Sequence, residues 1–115
     1  MKIDERTEGD VVVLEVKERR VDARNAAALK EAIGERVVRG HEWIVVDLTA
    51  VEFVDSSGLA AMISALKLLG RKGDLAVSGA GEHVGELFAQ TRLDKVFRLF
   101  PTSADAVRAL AGRTA

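Results

Sequence analysis

Asp55-Ser56-Ser57-Gly58 brings together, in consecutive positions, a carboxylate, two hydroxyls and a residue without a side chain, the part of this chain best equipped for chemistry. It separates Val51-Glu52-Phe53-Val54, an apolar strand pattern, from an apolar helical stripe that begins at Leu59. A helix N-terminus offers unpaired N–H groups and a partial positive charge, which suit a capping oxygen or a phosphate equally well. Two readings are open at this turn. In one, Asp55 and the serines cap the helix and Gly58 relieves crowding. In the other, a serine is a phosphoacceptor: a phosphate adds about −1.5 to −2 charges at pH 7 beside Asp55, which could expel a partner without refolding the domain.

The other reactive side chains form no comparable group. His41 and His83 stand alone, with no i, i+4 histidine and no cysteine to complete a metal site, and are expected on the surface. Asp47, Glu52 and Asp55 resemble an Mg²⁺ cluster of a receiver-type domain, but such a site needs an acidic pair after the first strand, where this chain has Lys17-Glu18-Arg19-Arg20. Around Ser56 there is no Gly-x-Ser-x-Gly elbow, and nothing identifies an oriented base for hydrolysis. Ser78-Gly79-Ala80-Gly81 lacks both the Lys of a P-loop and the third Gly of a dinucleotide fingerprint. The expectation is a non-enzymatic protein with no catalytic residue, metal or cofactor.

The elements that must position the turn alternate. Ile3–Thr7, a turn at Glu8-Gly9-Asp10 and the β-branched Val11–Val16 predict an N-terminal hairpin. Ala26, Leu29, Ile33 and Val37 recur at helical spacing, with Asp22 expected as N-cap and an end near Gly40. Trp43–Leu48 is a second buried strand, and Leu59, Met62, Ile63, Leu66 and Leu69 trace the helix that follows the turn. Leu75–Val77 is another strand, Val84, Leu87 and Phe88 a third helix, and Leu93–Phe100 is compatible with a short edge strand ended by Pro101. Thr102–Asp105 caps a last helix through Ala106, Val107 and Leu110, before a frayed tail. Trp43 and the four phenylalanines are expected in the core or at its edge. This order predicts one α/β domain over residues 1–115, with a mostly parallel sheet, an N-terminal hairpin and about four helices. Functional groups in such sheets collect beyond the carboxyl ends of strands, where the Asp55–Gly58 turn belongs.

Bulk properties narrow the partners. With 48% hydrophobic and 30% charged residues, the chain can build a core, and 17 basic against 18 acidic side chains leave no basic field for nucleic acid. There is no cysteine, Met1–Arg6 lacks the apolar run of a signal peptide, and no apolar run approaches the roughly 20 residues of a membrane span. A cytoplasmic location without direct membrane contact is expected.

The run Val45-Val46-Asp47-Leu48, continued by Val51 through Leu59, closely resembles the signature of the anti-sigma factor antagonist family, the STAS domain. Val21-Asp22-Ala23 with Leu29 resembles the family's lead into its first helix, and Leu93-Asp94-Lys95-Val96-Phe97 its C-terminal segment, so the likeness spans nearly the whole chain. It implies that Ser56 is phosphorylated by a partner that is both serine kinase and anti-sigma factor, and that a PP2C-type phosphatase reverses the step. The unphosphorylated form would bind the kinase and release its target, with ATP and Mg²⁺ belonging to the kinase. Asp22, Asp55, Ser57 and Gly58 become partner-binding positions, with Asp55 the neighbouring charge, Ser57 and Gly58 the helix start and Leu59 the first residue committed to the core. The alternative is a structural STAS subunit of a lipid-transport ATPase or of a larger signalling assembly. One departure from the family is Arg19-Arg20-Val21-Asp22, where many members carry a Gly-Glu or similar pair, implying a docking surface with its own charge pattern.

Overall fold

The computed structural model describes residues 1–113, so the tail expected to fray beyond them lies outside the described residues. Strands β1 (Ile3–Glu8) and β2 (Val11–Val16) form the N-terminal hairpin, followed by the two-residue β3 (Arg20–Val21) and helix α1 (Ala26–Val38). Then come β4 (Trp43–Asp47), the short β5 (Phe53–Val54), α2 (Ser56–Leu69), β6 (Asp74–Ser78) and α3 (Glu82–Gln90). A 3₁₀ turn at Leu93–Lys95, β7 (Arg98–Phe100) and α4 (Ser103–Arg113) complete the described chain.

The main sheet has the order β1-β2-β4-β6-β7, antiparallel at the hairpin and parallel elsewhere. This is the expected α/β class. Because side chains alternate across a strand, β2, β4 and β6 feed two cores at once. Val12, Leu14, Ile44, Val46, Leu75 and Val77 pack with α1, α2 and α3, while Val11, Val13, Val45 and Ala76 pack with Ala106 and Leu110 of α4. Burial on both faces explains why these strands read as unbroken apolar runs. No helix among the described residues is long and apolar enough to cross a membrane.

Three expectations change. The stretch from Leu93 to Phe100 is not one strand: the 3₁₀ turn takes its first half, and within it only Phe97 is buried, edge-on against Phe88 with ring centroids 5.9 Å apart. That contact holds Phe97 in the core. Helix α1 starts three residues later than an Asp22 cap would require; Asn25 is its N-cap position, and the Asp22 carbonyl accepts the N–H groups of Asn25 and Ala26 in the turn before it. Phe53 is not a core residue but 41% exposed.

A cross-element pair fixes the hairpin against α1. The Arg36 guanidinium donates to the Glu5 carboxylate at 2.6 Å and holds that carboxyl below its usual range. A depressed folded-state value means stability present above the unfolded pKa and lost as pH falls through the folded one. Glu5→Gln should therefore unfold at lower urea than the wild type at pH 7, by about 0.2–1 kcal/mol for a partly exposed pair, and the difference should shrink as pH falls below the ordinary carboxylate range.

Candidate functional site

At the turn, Asp55 has an extended backbone, and its Oδ1 accepts the N–H groups of Ser57 at 2.9 Å and Gly58 at 3.2 Å. Its carbonyl takes the first intrahelical bond, from the Leu59 N–H at 3.1 Å. Asp55 is thus the N-cap, more than a neighbouring charge, and the helix begins at Ser56 rather than at Ser57 and Gly58. Ser56 is exposed, Ser57 half-buried and Gly58 buried, so burial begins one residue before Leu59. Asp55→Ala should lose about 1 kcal/mol in urea unfolding, whereas Asp55→Asn should keep most of it, since asparagine caps as well as aspartate.

Position and packing of the turn come from β3 and β5, which pair in parallel as a separate two-stranded sheet beyond the carboxyl ends of β2 and β4. Val21 lies opposite Val54, and the Asp55 N–H donates to the Val21 carbonyl at 3.1 Å. Asp22 therefore follows Val21 where Asp55 follows Val54, which sets the two residues side by side at the ends of β3 and β5 although 33 positions apart in sequence. Gly58 lets α2 approach this small sheet: a Cβ there would lie 2.8 Å from Val54 Cγ1 and 2.9 Å from Val21 Cγ1. Expected as a partner-binding position, Gly58 is buried, and its contribution to the surface is to set how close the helix sits.

The Asp22 carboxylate beside the turn is already paired. Asp22 Oδ1 accepts the Arg24 N–H at 3.0 Å, and the Arg24 guanidinium lies 3.1 Å from Oδ2; this hydrogen bonding holds the Asp22 carboxyl below its ordinary range. The Arg20 Nε is 3.7 Å from the same carboxylate. The formal charges of Asp22, Asp55, Arg20 and Arg24 cancel. The arginine pair that sets this chain apart is also used structurally: Arg19 donates twice to the Glu52 carboxylate, at 3.1 and 3.2 Å, and Arg20 lies 4.2 Å over the Phe53 ring.

Behind the turn, Asp47 is 7% exposed, and its Oδ1 accepts the hydroxyls of Ser78 at 2.7 Å and Thr49 at 2.9 Å. It braces the loop that leads from β4 into β5. Gly79, at φ +70°, passes so close that a Cβ would meet Thr49 Oγ1 at 2.2 Å. Among the described residues no group of carboxylates, histidines or cysteines has the arrangement of a metal site. An aspartate at a strand end with a threonine two residues on is a local signal for the bracing role of Asp47, and no sequence signal marks Phe53 as a surface residue.

The sequence model of the STAS domain matches residues 2–106. The chain belongs to the STAS domain family. Over 92 residues, 80% of this STAS domain and 75% of the relative, it is 38% identical to the anti-sigma-F factor antagonist RsfB of Mycobacterium tuberculosis. The crystal structure of an anti-sigma factor antagonist from Mycobacterium paratuberculosis matches it with a TM-score of 0.88 at 33% identity, over 96% of this chain and 93% of that one. A sulfate transporter family protein from Wolinella succinogenes shares the STAS fold at 15% identity, with a TM-score of 0.77 over 90% of this chain and 87% of that one.

Proposed function

We propose that this STAS domain is an anti-sigma factor antagonist working as a phosphorylation-controlled partner switch. Unphosphorylated, it binds a serine-kinase anti-sigma factor through Asp22, Asp55, Ser57 and the exposed face of α2, and so releases that factor's target. Phosphate on Ser56 ends the contact, and a PP2C-type phosphatase restores it. Catalysis belongs to the partners.

The observation that carries this reading is the exposed Ser56 at the head of a helix whose next two N–H groups are already bonded to Asp55. A phosphate on that hydroxyl finds the Ser57 and Gly58 N–H groups taken and Arg20 and Arg24 engaged with Asp22. Its charge is therefore displayed to whatever docks there, beside two carboxylates, rather than absorbed by the fold. That the mycobacterial relatives are anti-sigma factor antagonists supports the same class of partner.

The test is incubation with ATP and the serine-kinase anti-sigma factors of the same cell, followed by mass spectrometry. The label should fall on Ser56, and Ser56→Ala should take none. Normal labelling of the Ser56→Ala protein, or labelling confined to Ser57, would refute the assignment.

A further inference from the structure

Beside the turn, β5 and α3 enclose an open crevice of about 420 Å³, with Phe53, Val54, Val84 and Leu87 as its apolar lining and Glu52 and Glu86 among its polar residues. Val54 immediately precedes Asp55, so the crevice adjoins the turn that carries Ser56. Its two carboxylates differ. Glu52 is held by Arg19, whereas Glu86 is exposed and, with Glu82 one turn before it, joins no ion pair among the described residues. Two like charges at i, i+4 repel, and a cation placed against them removes that repulsion. The Phe53 ring, exposed next to this acidic edge, already carries the Arg20 guanidinium on one face. Apolar surface with one unpaired carboxylate, Glu86, at its rim is complementary to an apolar side chain flanked by a cation.

We propose that the crevice is a second docking point for the anti-sigma factor. It takes one apolar side chain from an exposed partner segment, seated on Phe53, Val54, Val84 and Leu87, with a Lys or Arg of the same segment on Glu86. This rests on the partner-switch reading and adds to it an anchor the phosphate does not touch. Because the crevice and the Ser56 hydroxyl are separate contacts, losses at the two should be independent.

The test uses the full chain and the kinase that labels Ser56 in the assay above, titrated by calorimetry without ATP so that the complex is not consumed. Phe53→Ala should weaken binding about tenfold, as expected for an aromatic anchor, and Glu86→Lys by about threefold to tenfold with the loss shrinking at high salt. Glu86 is a surface helix position, so its variant remains informative even where Phe53→Ala loosens β5. Combined with Ser56→Asp, each loss should add. If Ser56→Asp weakens binding while Phe53→Ala and Glu86→Lys bind like the wild type, the crevice is not a docking point and the switch stands. A wild-type chain that binds no such kinase removes both readings, and a dimer of this chain abolished by Phe53→Ala assigns the crevice to a second copy instead.

Discussion

Ser56→Asp should weaken binding to the kinase partner by about tenfold to a hundredfold, the equivalent of roughly 1.4–2.8 kcal/mol. The new carboxylate stands one residue after Asp55, and the nearby Arg20 and Arg24 are already engaged by Asp22, so neither is free to pair with it. Stability should move the other way. At the first position of α2 an acidic side chain interacts favourably with the helix dipole, by about 0.3–1 kcal/mol, so unfolding should occur at equal or higher urea. Ser56→Ala, which adds no charge, should bind as the wild type does. Screening provides an internal control: the Debye length contracts from about 10 Å at 0.1 M salt to about 3 Å at 1 M, so the loss should shrink with salt. A variant that unfolds early and binds weakly at every ionic strength would mean that the substitution acts through folding and not through charge.

Gly58→Ala should destabilise the domain by about 1–3 kcal/mol, the range for overpacking a filled interior. The added methyl meets two β-branched side chains, Val21 and Val54, closer than 3.0 Å, and the Val21 carbonyl at 3.2 Å. Neither valine can swing aside as a long flexible chain would, so the helix start or the small sheet has to move. Because that sheet sets Asp22 against Asp55, the same variant should also weaken partner binding. Urea unfolding of Gly58→Ala, Val21→Ala and the double variant checks the cause: the double variant should be more stable than the sum of single losses predicts. Additive losses would place the strain elsewhere.

The run that resembles the STAS signature, Val45–Leu48 with Val51–Leu59, was legible as a strand, a polar turn and a helix because those are local properties. The β-branched strands announced themselves as buried on both faces, and the stripes of α1, α2 and α3 appeared at helical spacing. The segment from Leu93 to Phe100 was less legible. Its apolar residues fit strand alternation, but local bonds from the Lys95, Val96 and Phe97 N–H groups close a 3₁₀ turn there, and Phe97 packs edge-on against Phe88. Asp22 failed as the cap of α1 for a related reason: capping residues serve turns as readily as helices, and its side chain closes a turn onto Arg24.

By itself the sequence determined that Asp55-Ser56-Ser57-Gly58 is a strand-to-helix turn in a parallel α/β domain, since hydrophobic period and cap chemistry are written over a few neighbouring residues. Only the tertiary structure decided what surrounds Ser56. Asp22 is brought alongside Asp55 by the pairing of β3 with β5, and Phe53 is left on the surface next to Glu86. These are contacts between residues far apart in the chain, set by strand register and by the closeness that Gly58 permits. Local propensity carries no information about either.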